Sequence, residues 1–141
     1  MNYKRIFLAA LAAVVAYFAS GSLAIGLFLK NSYLPYAMIF RPPEEIMKVF
    51  PIGMAATFIA LIVLAMIYAK GYEGGSGAAE GARFGVLIGI FSDCMFVFHN
   101  YVNLRIGLKF TLEQAVAFFF EWLLVGIVIG LIYKPAASAK I

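Results

Sequence analysis

Residues 6–29 carry no charged side chain, and neither do residues 49–69. Two further apolar runs follow, 84–102 and 112–133, in which the only ionisable groups are Asp93, His99, Glu113, Glu121, the lone Cys94 and tyrosines. A run of about 20 apolar residues, rising 1.5 Å each as a helix, matches a hydrocarbon layer about 30 Å thick. Backbone groups in lipid must be paired within their own segment, which selects helices for such runs. The expected fold is therefore all-α. It is a polytopic integral membrane protein with four transmembrane helices in an antiparallel bundle, forming a single transmembrane domain over residues 1–141.

Composition agrees. The hydrophobic share is 65% and the charged share 13%, against roughly half and a quarter in soluble domains. A water-soluble fold would expose apolar patches large enough to aggregate. The lipid bilayer is the expected partner of that surface. The net charge of +4 is spread over the loops, without the basic stripe that grips nucleic acid. Cys94 is the only cysteine. It rules out an internal disulfide and reads as a buried apolar side chain. Lys4 and Arg5 before an apolar run, with Ala19-Ser20-Gly21-Ser22 behind it, imitate a signal peptide. The run continues to Leu29, too long for a signal core, so a retained first helix is expected.

The span ends are punctuated. Pro42-Pro43-Glu44-Glu45 suits a helix start, with Pro51 near the first turn or at a kink. Lys70-Gly71 reads as a basic last turn and a terminal glycine. Thr111-Leu112-Glu113-Gln114 has the capping-box pattern. Tyr133-Lys134-Pro135 closes the last span. With the N-terminus inside, Lys4, Arg5, Lys70, Arg83, Lys134 and Lys140 face Lys30, Arg41, Lys48, Arg105 and Lys109 across the membrane. The balance is nearly even. The first helix often dominates, which places both termini in the cytoplasm. Met66-Ile67-Tyr68-Ala69-Lys70 echoes Leu131-Ile132-Tyr133-Lys134, as two helical hairpins repeated in parallel, or two helices obeying one interface chemistry, would.

Asp93 and Glu121 are the sharpest chemical feature. Counting helical rise from the loop between them puts the two at about 16 Å and about 14 Å depth. Intramembrane carboxyls are costly and face a bundle interior or cavity. No Lys or Arg lies within the core of any span. The pair is then neutral, shares a proton, binds a cation or small ligand, or meets a partner. His99, Asn100 and Asn103 make the same half of the third helix polar. Seven-residue spacing sets Asp93 and Asn100 on one face, and four-residue spacing sets His99 and Asn103 on another. Asp93, His99 and Glu121 together have the donors for a divalent ion, but not the spacing of a recognised metal signature. The aromatic cluster of Phe96, Phe98, Tyr101, Phe118, Phe119, Phe120 and Trp122 suits lipid contact or a pocket for a quinone, pigment or lipid tail. No cofactor is specified.

Gly81, Gly85 and Gly89 form consecutive G-x-x-x-G steps, and Gly126 and Gly130 another. Such spacing lets helix backbones approach closely, within the chain or between subunits. The loop at 71–81 is glycine-rich but lacks the Gly-Lys-Ser/Thr ending of a phosphate loop, and reads as a flexible turn. The loop at 31–47 reads as an outer cap or a docking surface. No Ser-His-Asp set or His-Glu-x-x-His helix is present, so an enzyme is not expected.

Arg41-Pro42, Tyr68-Ala69-Lys70-Gly71-Tyr72-Glu73-Gly74-Gly75, Glu80-Gly81-Ala82-Arg83-Phe84-Gly85 and Tyr133-Lys134-Pro135 together resemble a family of small four-helix bacterial membrane proteins of unknown function. The resemblance implies four helices and a bacterial cytoplasmic (inner) membrane. It implies no ligand and no role for Asp93 or Glu121. Two functions fit the whole sequence. One is a non-enzymatic accessory or scaffold subunit, bound to partner membrane subunits or to its own copies. The other is a small carrier or ligand-binding protein using Asp93 and Glu121.

Overall fold

A computed structural model describes residues 1–133. The expectations for Lys134, Pro135 and Lys140 concern positions outside the described residues. Among those described, every regular element is helical. Four helical runs are long and apolar enough to cross a membrane: α1 (Tyr3–Tyr36), α2 (Pro43–Gly71), α3 (Gly77–Asn103) and α4 (Leu108–Tyr133).

The runs extend beyond the apolar windows at their ends. Asn2 accepts the Arg5 backbone N–H at 3.1 Å and starts α1. Pro42 is extended and Pro43 opens α2, with Glu44 and Glu45 in its first turn and Lys70 in its last. Pro51 falls inside α2 rather than at its first turn. The expected capping box at Thr111 does not form. α4 already starts at Leu108, and the Thr111 hydroxyl donates back to the Gly107 carbonyl at 3.1 Å. Gln114, the other residue of that pattern, donates instead to the Tyr33 hydroxyl at 3.3 Å, and the neighbouring Glu113 pairs with Lys109 at 3.9 Å.

The tightest packing joins α3 to α4. A Cβ placed on Gly85 would lie 2.6 Å from the Trp122 carbonyl oxygen, and one on Gly126 would lie 2.6 Å from the Gly85 Cα. Gly77 meets Gly130, Gly81 meets Gly126, and Gly89 meets Phe119. As one residue number rises the other falls, so these two helices run in opposite directions. The glycine steps are used within the chain.

A second seam joins α1 to α2 and α4. Ala9, Ala10 and Ala13 of α1 are fully buried against a core containing Leu61, Ala65, Val125 and Ile129. Small side chains here serve the purpose that glycine serves at the α3–α4 seam. At the end holding the N-terminus, the near end, Tyr68, Tyr72, Phe84 and Tyr133 pack edge to face. The two tyrosines of the sequence echo, Tyr68 and Tyr133, stand 5.9 Å apart in that cluster.

The 72–76 connection is tied by side-chain hydrogen bonds. Glu80 accepts the backbone N–H groups of Glu73 at 3.2 Å and Gly75 at 2.5 Å, while the Tyr72 hydroxyl donates to the Gly75 carbonyl at 3.0 Å. Gly74 turns at φ +91°, a value that side chains disfavour.

At the far end the chain after α1 folds into a cap. Tyr33, Tyr36 and Phe40 stack around Phe110 with ring centres 4.9 to 6.4 Å away. The Tyr36 hydroxyl accepts the Gly107 backbone N–H at 2.8 Å. α2 leaves this cap uncovered by its neighbours: every residue from Pro43 to Ala56 is exposed, although the Phe50 ring lies 5.6 Å from Phe18 of α1.

Candidate functional site

Between α1, α3 and α4 lies a cavity of about 260 Å³. Its polar lining is Tyr17 from α1, Ser92 and Asn100 from α3, and Gln114, Glu121 and Trp122 from α4. Phe96, Val97 and Phe118 complete it.

The phase of α3 explains why Ser92 and Asn100 share this cavity. Residues Asp93–Val97 form a π-helical turn, in which the Phe98 N–H donates to the Asp93 carbonyl five residues back. A π-turn inserts one extra residue into the helical phase. Eight-residue spacing across it therefore behaves as seven does in a regular α-helix. Ser92 and Asn100 face together, and the expected pairing of Asp93 with Asn100 is lost.

Glu121 is the buried acid of the cavity, 4% exposed. Its carboxyl lies over Gly21 of α1, where a Cβ would come within 2.7 Å of Oε1. The missing side chain at 21 is what makes room for it. Glu121 makes no hydrogen bond or ion pair among the described residues. The ion pairs found there are Arg41–Glu45 and Lys109–Glu113, both on helix surfaces. Beside Glu121, the Trp122 indole N–H donates to Ser92 Oγ at 2.9 Å, and the Tyr17 ring packs 5.6 Å from the indole. The Gln114 amide donates to the Tyr33 hydroxyl at 3.3 Å, tying the cavity to the far-end cap.

On the other side of Glu121 runs an apolar groove of about 450 Å³. Ser20, Ala24 and Phe28 of α1 form one wall, and Val116, Ala117, Phe120 and Leu124 of α4 the other, with Glu121 at its edge.

The remaining candidates stand elsewhere. Asp93 is 9% exposed, and its Oδ1 is buried without a hydrogen-bond partner. It does not line the cavity, and no hydrogen bond joins it to Glu121. His99 and Asn103 are exposed, and the Asn103 amide donates to the His99 carbonyl at 2.9 Å. Asp93, His99 and Glu121 are thus not gathered: among the described residues no three His, Cys, Asp or Glu side chains are placed to hold a metal ion. Cys94 is exposed on the helix surface, not buried. Tyr17, Ser92 and Gln114 were not singled out by sequence. Their signal was hydrogen-bonding capacity inside an apolar run, the same signal that marked the two acids.

No family model, curated protein or solved structure matches the chain.

Proposed function

We propose that this is an integral membrane protein whose four helices cross the bilayer as an antiparallel bundle and whose Glu121 cavity binds a small molecule, as in a carrier or ligand-binding protein. The apolar exterior supports insertion. Residues such as Leu27, Ile52, Leu87 and Val102 are 67 to 81% exposed along the helices, which suits lipid and not water. The observation that carries the binding reading is Glu121 itself. It is a carboxyl only 4% exposed that makes no hydrogen bond or ion pair among the described residues, set in a cavity among five other polar side chains. Burying such a group is costly, and apolar pockets with a few convergent polar groups are where ligands bind.

The test is native mass spectrometry on protein extracted gently from its own membranes. A defined non-protein mass, lost in Glu121→Gln, is the expected result. A bare chain in both forms overturns the reading.

A second reading, an accessory subunit of a larger membrane complex, draws on α2. Its half from Pro43 to Ala56 is exposed on all sides, and a partner helix would cover it. The glycine steps no longer support this reading, because α3 and α4 use them on each other. Stoichiometric foreign polypeptides in the same spectra would favour it. Under either reading the basic Lys4 and Arg5 favour cytoplasmic termini, in a bacterial inner membrane if the family resemblance holds.

A further inference from the structure

We infer that the ligand is a single-chain cationic amphiphile: an alkylammonium whose head occupies the Glu121 cavity and whose tail lies in the groove between α1 and α4. This rests on reading the cavity as a binding site and adds the chemical class. Three observations carry it. The first is charge. Glu121 lines both spaces, and no Lys or Arg lines either. An ammonium supplies the counter-charge that the cavity and groove lack, whereas an anionic head meets only another acid. The second is the wall chemistry of the cavity. Tyr17, Phe96, Phe118 and Trp122 line the cavity together with one carboxyl. Rings with a carboxylate recognise ammonium ions, because the face of each ring is negative. The third is the groove. It touches the same carboxyl, is walled by apolar side chains, and opens between two helices that face lipid. A polar molecule without a tail has no use for it. A molecule dissolved in the bilayer reaches Glu121 through it without crossing water.

The chain reports its own occupancy, because Trp122 is its only tryptophan and lines the cavity. The full chain in dodecyl maltoside micelles, which carry no ammonium, is titrated while Trp122 emission is followed. The probes are dodecyltrimethylammonium, dodecanol and tetramethylammonium. A saturable change is expected with dodecyltrimethylammonium and none with dodecanol at the same loading. Glu121→Gln is expected to weaken binding about tenfold or more. Ala117→Phe, which fills the groove, is expected to weaken dodecyltrimethylammonium and leave tetramethylammonium unchanged. If tetramethylammonium binds as tightly as dodecyltrimethylammonium in the wild-type chain, the tail assignment is overturned and the cavity remains a binding site. That comparison needs no variant to fold. If dodecanol binds equally and Glu121→Gln changes nothing, the cationic class is overturned. If no probe gives a saturable change, the inference fails, and the mass spectrum decides separately whether the cavity binds anything.

Discussion

Glu121 and Asp93 are both buried acids in apolar helices, yet they stand in different surroundings. Glu121 has a cavity on one side and a groove on the other. Asp93 has an orphaned oxygen and lines neither. A carboxyl kept for binding is not needed for folding. Glu121→Gln keeps its shape, so its melting temperature should match or exceed that of the parent; a large fall in a thermal melt would mark the carboxyl as structural. Ser92→Ala should behave differently. It leaves the Trp122 N–H without its acceptor, which is worth about 1 kcal/mol in a melt, and should shift Trp122 emission. Both acids were legible in the sequence, because a charge in an apolar run stands out. Their relation was not. It depends on which face of α3 meets α4, and Ser92, not Asp93, is the residue that lines the Glu121 cavity; nor does anything in Asp-Cys-Met-Phe-Val announce the π-turn that brings Asn100 there.

The seams between helices are made by side-chain absence, which the G-x-x-x-G spacing did announce. What spacing alone left open was whether those faces meet each other or another subunit. Gly85→Ala should destabilise the α3–α4 seam by about 1–3 kcal/mol, as overpacking does, measured by thermal melting in micelles. Gly53→Ala provides the contrast. Its Cβ would meet nothing within 4 Å, and alanine favours a helix over glycine by about 1 kcal/mol, so that variant should be neutral or more stable. Equal losses at both positions would remove the packing explanation. The helix ends were harder to read than the helices. Thr111 matched the capping pattern but lies a turn inside α4, because Gly107 and Leu108 already begin it. Local pattern lost there to the packing of Phe110 under the cap.

Across the whole molecule, the two ends are built differently. The near end is closed by tyrosines and an ordered turn, and the far end is capped over α4 but leaves half of α2 bare. Four spans put the near-end turn on the same side as the N-terminus. In a Cys94→Ala background, a charged thiol reagent added outside intact cells should label Met38→Cys, whose position is fully exposed, and not Glu73→Cys. The reverse pattern would invert the proposed orientation. Four apolar helices could be inferred from the length of the apolar runs alone. The bareness of α2 could not, since lipid and protein neighbours select the same apolar residues.

The Tyr36–Gly107 bond has a consequence for how the molecule is made. Its partners are 71 residues apart in the chain. When Tyr36 leaves the ribosome its donor has not been synthesised, and two more long helices, α2 and α3, must be made before that donor arrives. The far-end cap is therefore the late step of biogenesis. Until α4 is in place, the aromatic segment that will cover it stands open to whatever handles nascent membrane chains.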